Sequence, residues 1–188
     1  MTEEIKKEQT NNEIKKETIE KNDTIIAPET KININADLGE SFGNWKMGSD
    51  SEMLSLVNSA NLACGFHAGD PLVILRTLED AHKHQVGIGA HPSFPDLQGF
   101  GRRPMQLSEA ELEAILFYQL GALQGMAQTQ NMKLEHVKPH GALNNMACAD
   151  IQLARQIVNA IRTFDDQLIL LAPACSALLI AGEEAGLQ

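Results

Sequence analysis

Cysteine, aromatic residues and long apolar runs are scarce in this sequence of 188 residues. Its three cysteines, Cys64, Cys148 and Cys175, are an odd number without paired spacing. That pattern argues against the disulfide framework of a secreted protein and makes the cytoplasm the default expectation. No apolar run approaches the ~18 residues of a membrane span, and the first 30 residues are charged rather than signal-like. We therefore expect no membrane contact.

Positive charge is also in short supply. The chain has 15 Lys and Arg against 25 Asp and Glu, a net charge of −10, and no basic cluster that could contact many phosphates. We therefore expect no nucleic-acid partner. The nucleotide fingerprints are absent too, because Asp37–Gly43 has the wrong glycine spacing for a dinucleotide loop and the chain has no P-loop Gly-Lys-Ser/Thr.

The composition of the chain changes near Pro28. Residues 1–30 hold 5 Lys and 8 acidic residues, and they repeat the pentad EIKKE at Glu4–Glu8 and Glu13–Glu17. Because this segment has too few apolar side chains to offset the entropy of ordering, we predict a disordered charged tail. Residues 31–188 are long enough for one domain with a sizeable core, and they form the predicted catalytic domain.

Strand-like runs alternate with helix signals after the tail. The predicted strands are Lys31–Ala36, Ser59–Cys64, Gln85–Ala90, Leu134–Lys138 and Gln167–Ala172. Three predicted helices have recognisable starts: Asp70 before Pro71, the capping box of Ser108 and Glu111, and Asp150 before Ile151–Phe164. This alternation predicts βαβ units and a parallel sheet in an α/β fold. It leaves an open doubly wound sheet and a closed barrel as alternatives.

Polar residues collect just after the carboxyl end of four consecutive predicted strands. They are Asp37 and Glu40; His67 and Asp70; His91, Asp96, Arg102 and Arg103; and Lys138 and His140. Parallel α/β folds, barrels above all, build active sites at that face. The placement therefore predicts one functional site assembled from four strand ends.

The first predicted strand alternates apolar and polar residues, which puts Asn33, Asn35 and Asp37 on one face. A central parallel strand is normally apolar on both faces, so this polar face points either to solvent at a sheet edge or into a polar barrel interior. The fourth predicted strand repeats the pattern with His136 and Lys138. We expect Lys138 to meet a carboxylate or an anionic substrate group, because a lysine in a strand is rarely buried alone.

The histidines differ in their surroundings. His91 and His140 are each flanked by glycine and proline, which fix the backbone and suit a positioned acid, base or ligand. His67 lies in a glycine-rich turn whose following helix start could hold an anionic group, although a simple capped turn is the alternative. His82 and His84 close a predicted helix, and we expect a structural role for both. The role of His136 stays open.

Two further chemistries are possible at these positions. Cys64 follows a strand near a histidine, but a buried apolar role is favoured over a nucleophile, and Cys148 and Cys175 are expected in helical core. Asp37, His67 and His91 would suit a zinc or manganese ion, although no local signature such as H-E-x-x-H supports a metal site.

Four blocks of this sequence together resemble the LamB/YcsF family, whose members form the A-subunit of the prokaryotic ATP-dependent 5-oxoprolinase. The blocks are Asn35–Gly43 (NADLGESFG), Ala60–Pro71 (ANLACGFHAGDP), Gly89–Arg103 (GAHPSFPDLQGFGRR) and His136–Asn145 (HVKPHGALNN). The resemblance implies a seven-stranded TIM-like barrel of the glycoside hydrolase/deacetylase type. Such a barrel typically needs ~250 residues, so we expect an incomplete one in residues 31–188. Asn144 stands where the family usually has tyrosine.

The resemblance also implies hydrolysis of 5-oxoproline to L-glutamate with ATP as co-substrate, accompanied by Mg²⁺, and with subunits B and C as partners. Within that reaction Asp37, with Glu40 second, is the candidate base, and His91 or His140 is the candidate proton donor. Lys138 would neutralise phosphoryl oxygens. The expected substrate contacts come from Asn33, Asn35, His67, Asp70, Arg102 and Arg103. The alternatives are a stand-alone metal-dependent deacetylase or amidohydrolase and a non-catalytic binding subunit.

Overall fold

The computed structural model describes residues 32–188, so the predicted charged tail lies outside the described residues. Five strands alternate with six helices in this part of the chain. The strands are β1 (Asn35–Leu38), β2 (Ser59–Ala63), β3 (Gly87–His91), β4 (Leu134–Val137) and β5 (Ile169–Leu170). The helices are α1 (Asp50–Leu54), α2 (Pro71–His84), α3 (Glu109–Gln128), α4 (Gly141–Ala149), α5 (Ile151–Phe164) and α6 (Ala177–Ala185). No helix of residues 32–188 has the length and apolar character needed to cross a bilayer.

All five strands pair in parallel and in chain order, β1-β2-β3-β4-β5. The predicted α/β fold with a parallel sheet is therefore confirmed. The predicted strand at Ser59–Cys64 matches β2 to within one residue. The first predicted strand is placed too early, because Ile32 and Ile34 are exposed and the ladder begins only at Asn35.

The three predicted helix starts are present with their capping hydrogen bonds. The Asp70 carboxylate accepts from the backbone N–H groups of Leu72 and Val73. Ser108 and Glu111 form the reciprocal capping box of α3, and the Asp150 carboxylate accepts from the first turn of α5. These caps satisfy N–H groups that a helix start otherwise leaves without partners.

The sheet has one apolar and one polar face. Leu62, Ile88 and Val137 point away from the polar face and are fully buried in the hydrophobic core that the helices share. The opposite face carries Asn61 and His136, whose side chains contact each other at 2.7 Å between Oδ1 and Nε2. The polar pattern of β1 therefore continues across the inner face of the sheet.

Strong curvature of the sheet brings distant strands together on its polar face. In a flat sheet β1 and β4 would lie about 14 Å apart, at ~4.8 Å for each step between strands. Here the Lys138 ammonium lies 2.6 Å from Asp37 Oδ1. This contact across three strand intervals fits a curved sheet. With the parallel order of its five strands, the architecture is a partial TIM-like barrel whose concave face is polar.

One cysteine prediction is wrong. Cys175 is exposed and lies in the loop before α6, with a positive φ of 59°, so it belongs to neither a helix nor the core. Cys148 lies in α4 and is partly buried, whereas Cys64 is buried. Burial raises the pKa of the Cys64 thiol to about 12, which disfavours a thiolate nucleophile at neutral pH.

The close packing of β3 against β4 gives a first testable prediction. A Cβ added at Gly89 would overlap the imidazole of His136, and that ring is held in place by Asn61. We expect Gly89→Ala to lower the free energy of unfolding by ~1–3 kcal/mol. Gly125 in α3 meets nothing within 4 Å. The control Gly125→Ala should therefore leave stability unchanged or raise it by ~0.5–1 kcal/mol. Urea unfolding of both variants checks this, and equal stabilities would contradict the packing.

Candidate active site

The last residue of β3 and the loops after β1, β2 and β4 bring four titratable side chains to one point. Glu40, His67, His91 and His140 each offer a ligand atom, and these atoms all lie within 4.8 Å of one another. We call these four residues the carboxylate–histidine cluster. The three histidines are almost completely buried. The strand-end pattern in the sequence predicted this convergence, and these residues could hold a metal ion.

Glu40 lies among the three histidines. Its Oε1 is 3.0 Å from His67 Nε2, 3.7 Å from His140 Nδ1 and 4.0 Å from His91 Nε2. The conformations of two glycines explain the position of Glu40. Gly39 has a φ of 71°, which turns the chain after β1, and a Cβ at Gly69 would press against the Gly39 carbonyl. The close approach of these two loops places Glu40 beside His67.

Backbone carbonyls orient two of the histidine rings. His91 Nδ1 lies 2.5 Å from the carbonyl oxygen of Lys138, and His140 Nε2 lies 2.8 Å from that of Phe100. The remaining ring nitrogens, His91 Nε2 and His140 Nδ1, face each other at 3.0 Å. The His67 ring stacks on the His140 ring with 3.8 Å between centroids and an angle of 8°.

Asp37 joins the cluster to the inner face of the sheet. Its Oδ2 is 3.4 Å from His91 Nε2, while its Oδ1 accepts from Asn61 at 2.8 Å and from Lys138 at 2.6 Å. The expectation that Lys138 meets a carboxylate is therefore confirmed. Both side chains of this ion pair remain about one-third exposed, at 32% for Lys138 and 36% for Asp37. A ligand on the concave face could reach both.

Burial and neighbouring charges set the protonation of the site. Burial by itself would raise the pKa of Asp37, but the contacts with His91, Lys138 and Asn61 outweigh it and hold that pKa well below its ordinary value. Burial lowers the pKa of His140 to about 4 and also lowers the pKa of His67. At neutral pH, Asp37 is therefore an anion and His140 a neutral imidazole.

A second polar layer lies below the cluster on the same face. Asn61 donates to Asn35 at 2.7 Å, and Ser59 donates to Asn33 at 2.8 Å. His136 completes this layer through Asn61. Ser59 and Asn61 were not among the site residues predicted from the sequence. The sequence pattern that could have identified them is the period-two alternation already noted in the first strand. It places polar residues at 59 and 61 and apolar residues at 60 and 62.

Three predicted site residues lie in other surroundings. Asp70 caps α2 and also accepts from the backbone N–H of Gly43, so both oxygens of its carboxylate are already engaged in backbone hydrogen bonds. Arg103 is paired with Asp96, and this pairing lowers the pKa of the Asp96 carboxyl to about 2. Arg102 is exposed, with its guanidinium 5.3 Å from the centre of the Phe100 ring. Arg102 alone of the two arginines keeps its charge available to a ligand.

The buried His136 gives a prediction for pH. Burial lowers its pKa from 6.5 to about 4, so between those values the unfolded chain binds one more proton than the folded chain. Stability is then lost as pH falls below 6.5. We expect this difference in proton binding by His136 to lower the free energy of unfolding by ~2 kcal/mol at pH 5 relative to pH 7. We expect His136→Gln to show a shallower loss than wild type between pH 7 and 5 in urea unfolding. Identical slopes would show that His136 does not titrate this way.

Fold and site together define an α/β protein of the TIM-barrel type whose strand ends carry a carboxylate–histidine centre. The model of the LamB/YcsF family matches residues 32–188, and the chain belongs to this family. The resemblance seen in the four sequence blocks is therefore confirmed.

Several curated relatives carry the name of the 5-oxoprolinase A-subunit. The chain is 62% identical over 158 residues to the one from Azoarcus sp. (strain BH72), covering 84% of this chain and 62% of the relative. It is 55% identical to the one from Methylococcus capsulatus, covering 83% of this chain and 60% of the relative. The chain thus spans about three-fifths of the length of the curated relatives that it matches.

A solved structure shares the fold. The crystal structure of a lactam utilization protein from Thermus thermophilus superimposes with a TM-score of 0.82 at 47% sequence identity. The match covers 84% of this chain and 64% of the Thermus chain. At this identity the likeness extends beyond the fold to the sequence itself.

Proposed function

We propose that this chain is the A-subunit of an ATP-dependent 5-oxoprolinase, which hydrolyses the lactam of 5-oxoproline to L-glutamate. The names of the relatives support this role. The observation that carries it is the ion pair of Lys138 and Asp37, partly exposed on the concave face next to the carboxylate–histidine cluster. This arrangement offers a cation, a fixed anion and neutral imidazole groups to one bound molecule.

The chemistry of the substrate explains the need for ATP. A lactam amide is stabilised by resonance, and its opening to glutamate is energetically uphill. Transfer of the γ-phosphoryl group of ATP to the lactam oxygen would make the ring carbon open to attack by water. Addition of that water and cleavage of the carbon–nitrogen bond, with a proton going to the nitrogen, would leave glutamate as its side-chain acyl phosphate. A second water would then release phosphate and L-glutamate, with ADP as the product of the first transfer. We propose that Mg²⁺ accompanies the ATP and that subunits B and C complete the nucleotide site.

We assign roles to the inner-face residues from their positions and charges. Lys138 faces the negative charge that develops on the phosphoryl and lactam oxygens. Asp37 has too low a pKa to be an efficient proton acceptor, so it suits orienting the attacking water and fixing Lys138 better than the role of base predicted for it. Acceptor atoms of Glu40, His91 and His140 lie next to Asp37, and we assign the attacking water to this point.

The substrate carboxylate is assigned to Arg102 rather than Arg103. Arg103 is already neutralised by Asp96, whereas Arg102 is exposed beside Phe100, whose carbonyl holds His140. Asn33 and Asn35 lie on the same face as Asp37 and remain our candidates for polar contacts to the substrate ring.

The proposal is tested by glutamate formation in the assembled system. The chain of 188 residues is mixed with subunits B and C from the organism of a curated relative, together with 5-oxoproline, ATP and Mg²⁺. We expect glutamate only when every component is present. Assembly is verified by size-exclusion chromatography, and an assembled complex that forms no glutamate would contradict the proposed activity.

A second candidate is an amidohydrolase that uses a metal ion and needs neither ATP nor partners. The carboxylate–histidine cluster favours it, because it combines the imidazole and carboxylate ligands that hydrolytic metal sites use. Release of glutamate by the chain alone in the presence of Zn²⁺ or Mn²⁺, without ATP, would support this second function over the first.

A further inference from the structure

The tautomers of two clustered histidines follow from their carbonyl partners. A carbonyl oxygen only accepts, so His91 Nδ1 carries the proton shared with Lys138 O, and His140 Nε2 carries the one shared with Phe100 O. In the neutral rings, His91 Nε2 and His140 Nδ1 are therefore bare lone pairs. These two nitrogens nevertheless lie 3.0 Å apart, and within residues 32–188 no group between them donates a proton to either.

Carboxylate oxygens surround the same point. Glu40 Oε1 lies 3.7 Å from His140 Nδ1 and 4.0 Å from His91 Nε2, and Asp37 Oδ2 lies 3.4 Å from His91 Nε2. A second proton on His91 would create a buried cation and could satisfy only one of these acceptors. One divalent cation at the centre would satisfy several at once.

His67 does not fit as a fourth ligand. An imidazole nitrogen binds a metal in the plane of its ring, and the rings of His67 and His140 are nearly parallel at 3.8 Å, so no point lies in both ring planes. His67 Nε2 instead lies 3.0 Å from Glu40 Oε1, as a donor that orients this carboxylate. Hydrogen bonds of this kind to ligating carboxylates, and carbonyl bonds to ligating histidines, are typical of the shell around a metal.

We propose that Glu40 Oε1, His91 Nε2 and His140 Nδ1 form a three-ligand site for a divalent transition metal, best fitted by Zn²⁺, with His67 as a positioning residue. Their separations of 3.0, 3.7 and 4.0 Å are close to the about 3.4 Å between tetrahedral ligands with bonds of roughly 2.1 Å. Two histidines and one carboxylate with an open fourth position are a catalytic zinc pattern. Asp37 Oδ2 lies 3.4 Å from His91 Nε2, so the attacking water of the proposed function would lie beside this site.

The test measures metal directly and therefore succeeds or fails independently of the proposed oxoprolinase reaction. The chain of 188 residues is freed of metal with a chelator and dialysed against Zn²⁺, and its bound metal is measured by mass spectrometry. The affinity for Zn²⁺ is determined by competition against a chelating dye. We expect one Zn²⁺ for each chain. The variants Glu40→Gln, His91→Ala and His140→Ala should lose stoichiometric zinc, and His67→Gln should retain it with affinity lowered ~10–100-fold.

Control variants guard against unspecific binding and misfolding. His82→Ala removes an exposed imidazole at the end of α2 and should leave zinc unchanged. Zn²⁺ should raise the thermal unfolding midpoint of wild type and of His82→Ala, but not that of the folded Glu40→Gln variant. The site is overturned if wild type binds no zinc in stoichiometric amount. The three-ligand assignment is overturned if His67→Gln abolishes zinc binding as fully as His91→Ala does.

Discussion

We expect replacement of Asp37 by asparagine to lower the ATP-dependent rate of glutamate formation by ~10²–10³-fold, because the variant loses the anion that orients the attacking water and fixes Lys138. The substitution keeps the size of the side chain but removes the charge that holds Lys138 at 2.6 Å and faces His91 at 3.4 Å. Because one-third of Asp37 is exposed on the concave face, a substrate bound there as we propose would contact this side chain directly. The rate is measured with the assembled subunits and saturating ATP.

A matched carboxylate serves as the control for this variant. Asp80 also forms an ion pair with a lysine, Lys83, at 2.9 Å, but on the exposed surface of α2. Asp80→Asn should retain the wild-type rate. A rate for Asp37→Asn within threefold of wild type would remove Asp37 from the reaction.

Replacing Lys138 by methionine lowers the same rate by ~10²–10³-fold, comparable to the loss of one charge-stabilising donor in other enzymes. Methionine keeps the length and apolar stem of lysine while removing the ammonium group that we propose to neutralise the phosphoryl oxygens. Lys83→Met is the control and should keep the wild-type rate of glutamate formation, since Lys83 is an exposed surface residue. A change in KM for 5-oxoproline alone, with kcat intact, would contradict a role of Lys138 in the transition state.

The two variants should not act independently. Asp37 and Lys138 are in direct contact, so their effects share one interaction and are expected to be non-additive. The double variant Asp37→Asn with Lys138→Met should be about as slow as the slower single variant. Fully multiplicative losses would show that the two side chains serve separate steps.

The sequence predicted the parallel sheet and those helices whose starts carry a side-chain cap. The predicted strands at β2 and β3 agree with the observed bounds to within two residues, and the caps at Asp70 and Ser108 gave the starts of α2 and α3. By contrast, α4 begins at Gly141 with a φ of 55° and has no side-chain cap at His140. No local signal marks such a start, because the helix is held by its tertiary packing rather than by its own first turn.

The sequence predicted where in the fold the candidate site lies, but not how its side chains are arranged. The rule that strand ends meet at one face of a parallel sheet predicted that His67, His91 and His140 would converge. It could not decide which carboxylate joins them. Asp37 was the carboxylate among the candidate metal ligands, whereas the turn at Gly39 places Glu40 within the cluster and leaves Asp37 beside it. That choice depends on two loops in contact across distant parts of the sequence.

The central claim, that this chain opens 5-oxoproline with cleavage of ATP, is tested most directly by counting both products in one reaction. The assembled subunits are given 5-oxoproline, and phosphate and glutamate are measured together over time. We predict one glutamate for each ATP cleaved, with both rates falling together in Asp37→Asn. Glutamate formation that continues at the same rate after ATP is removed would contradict the claim.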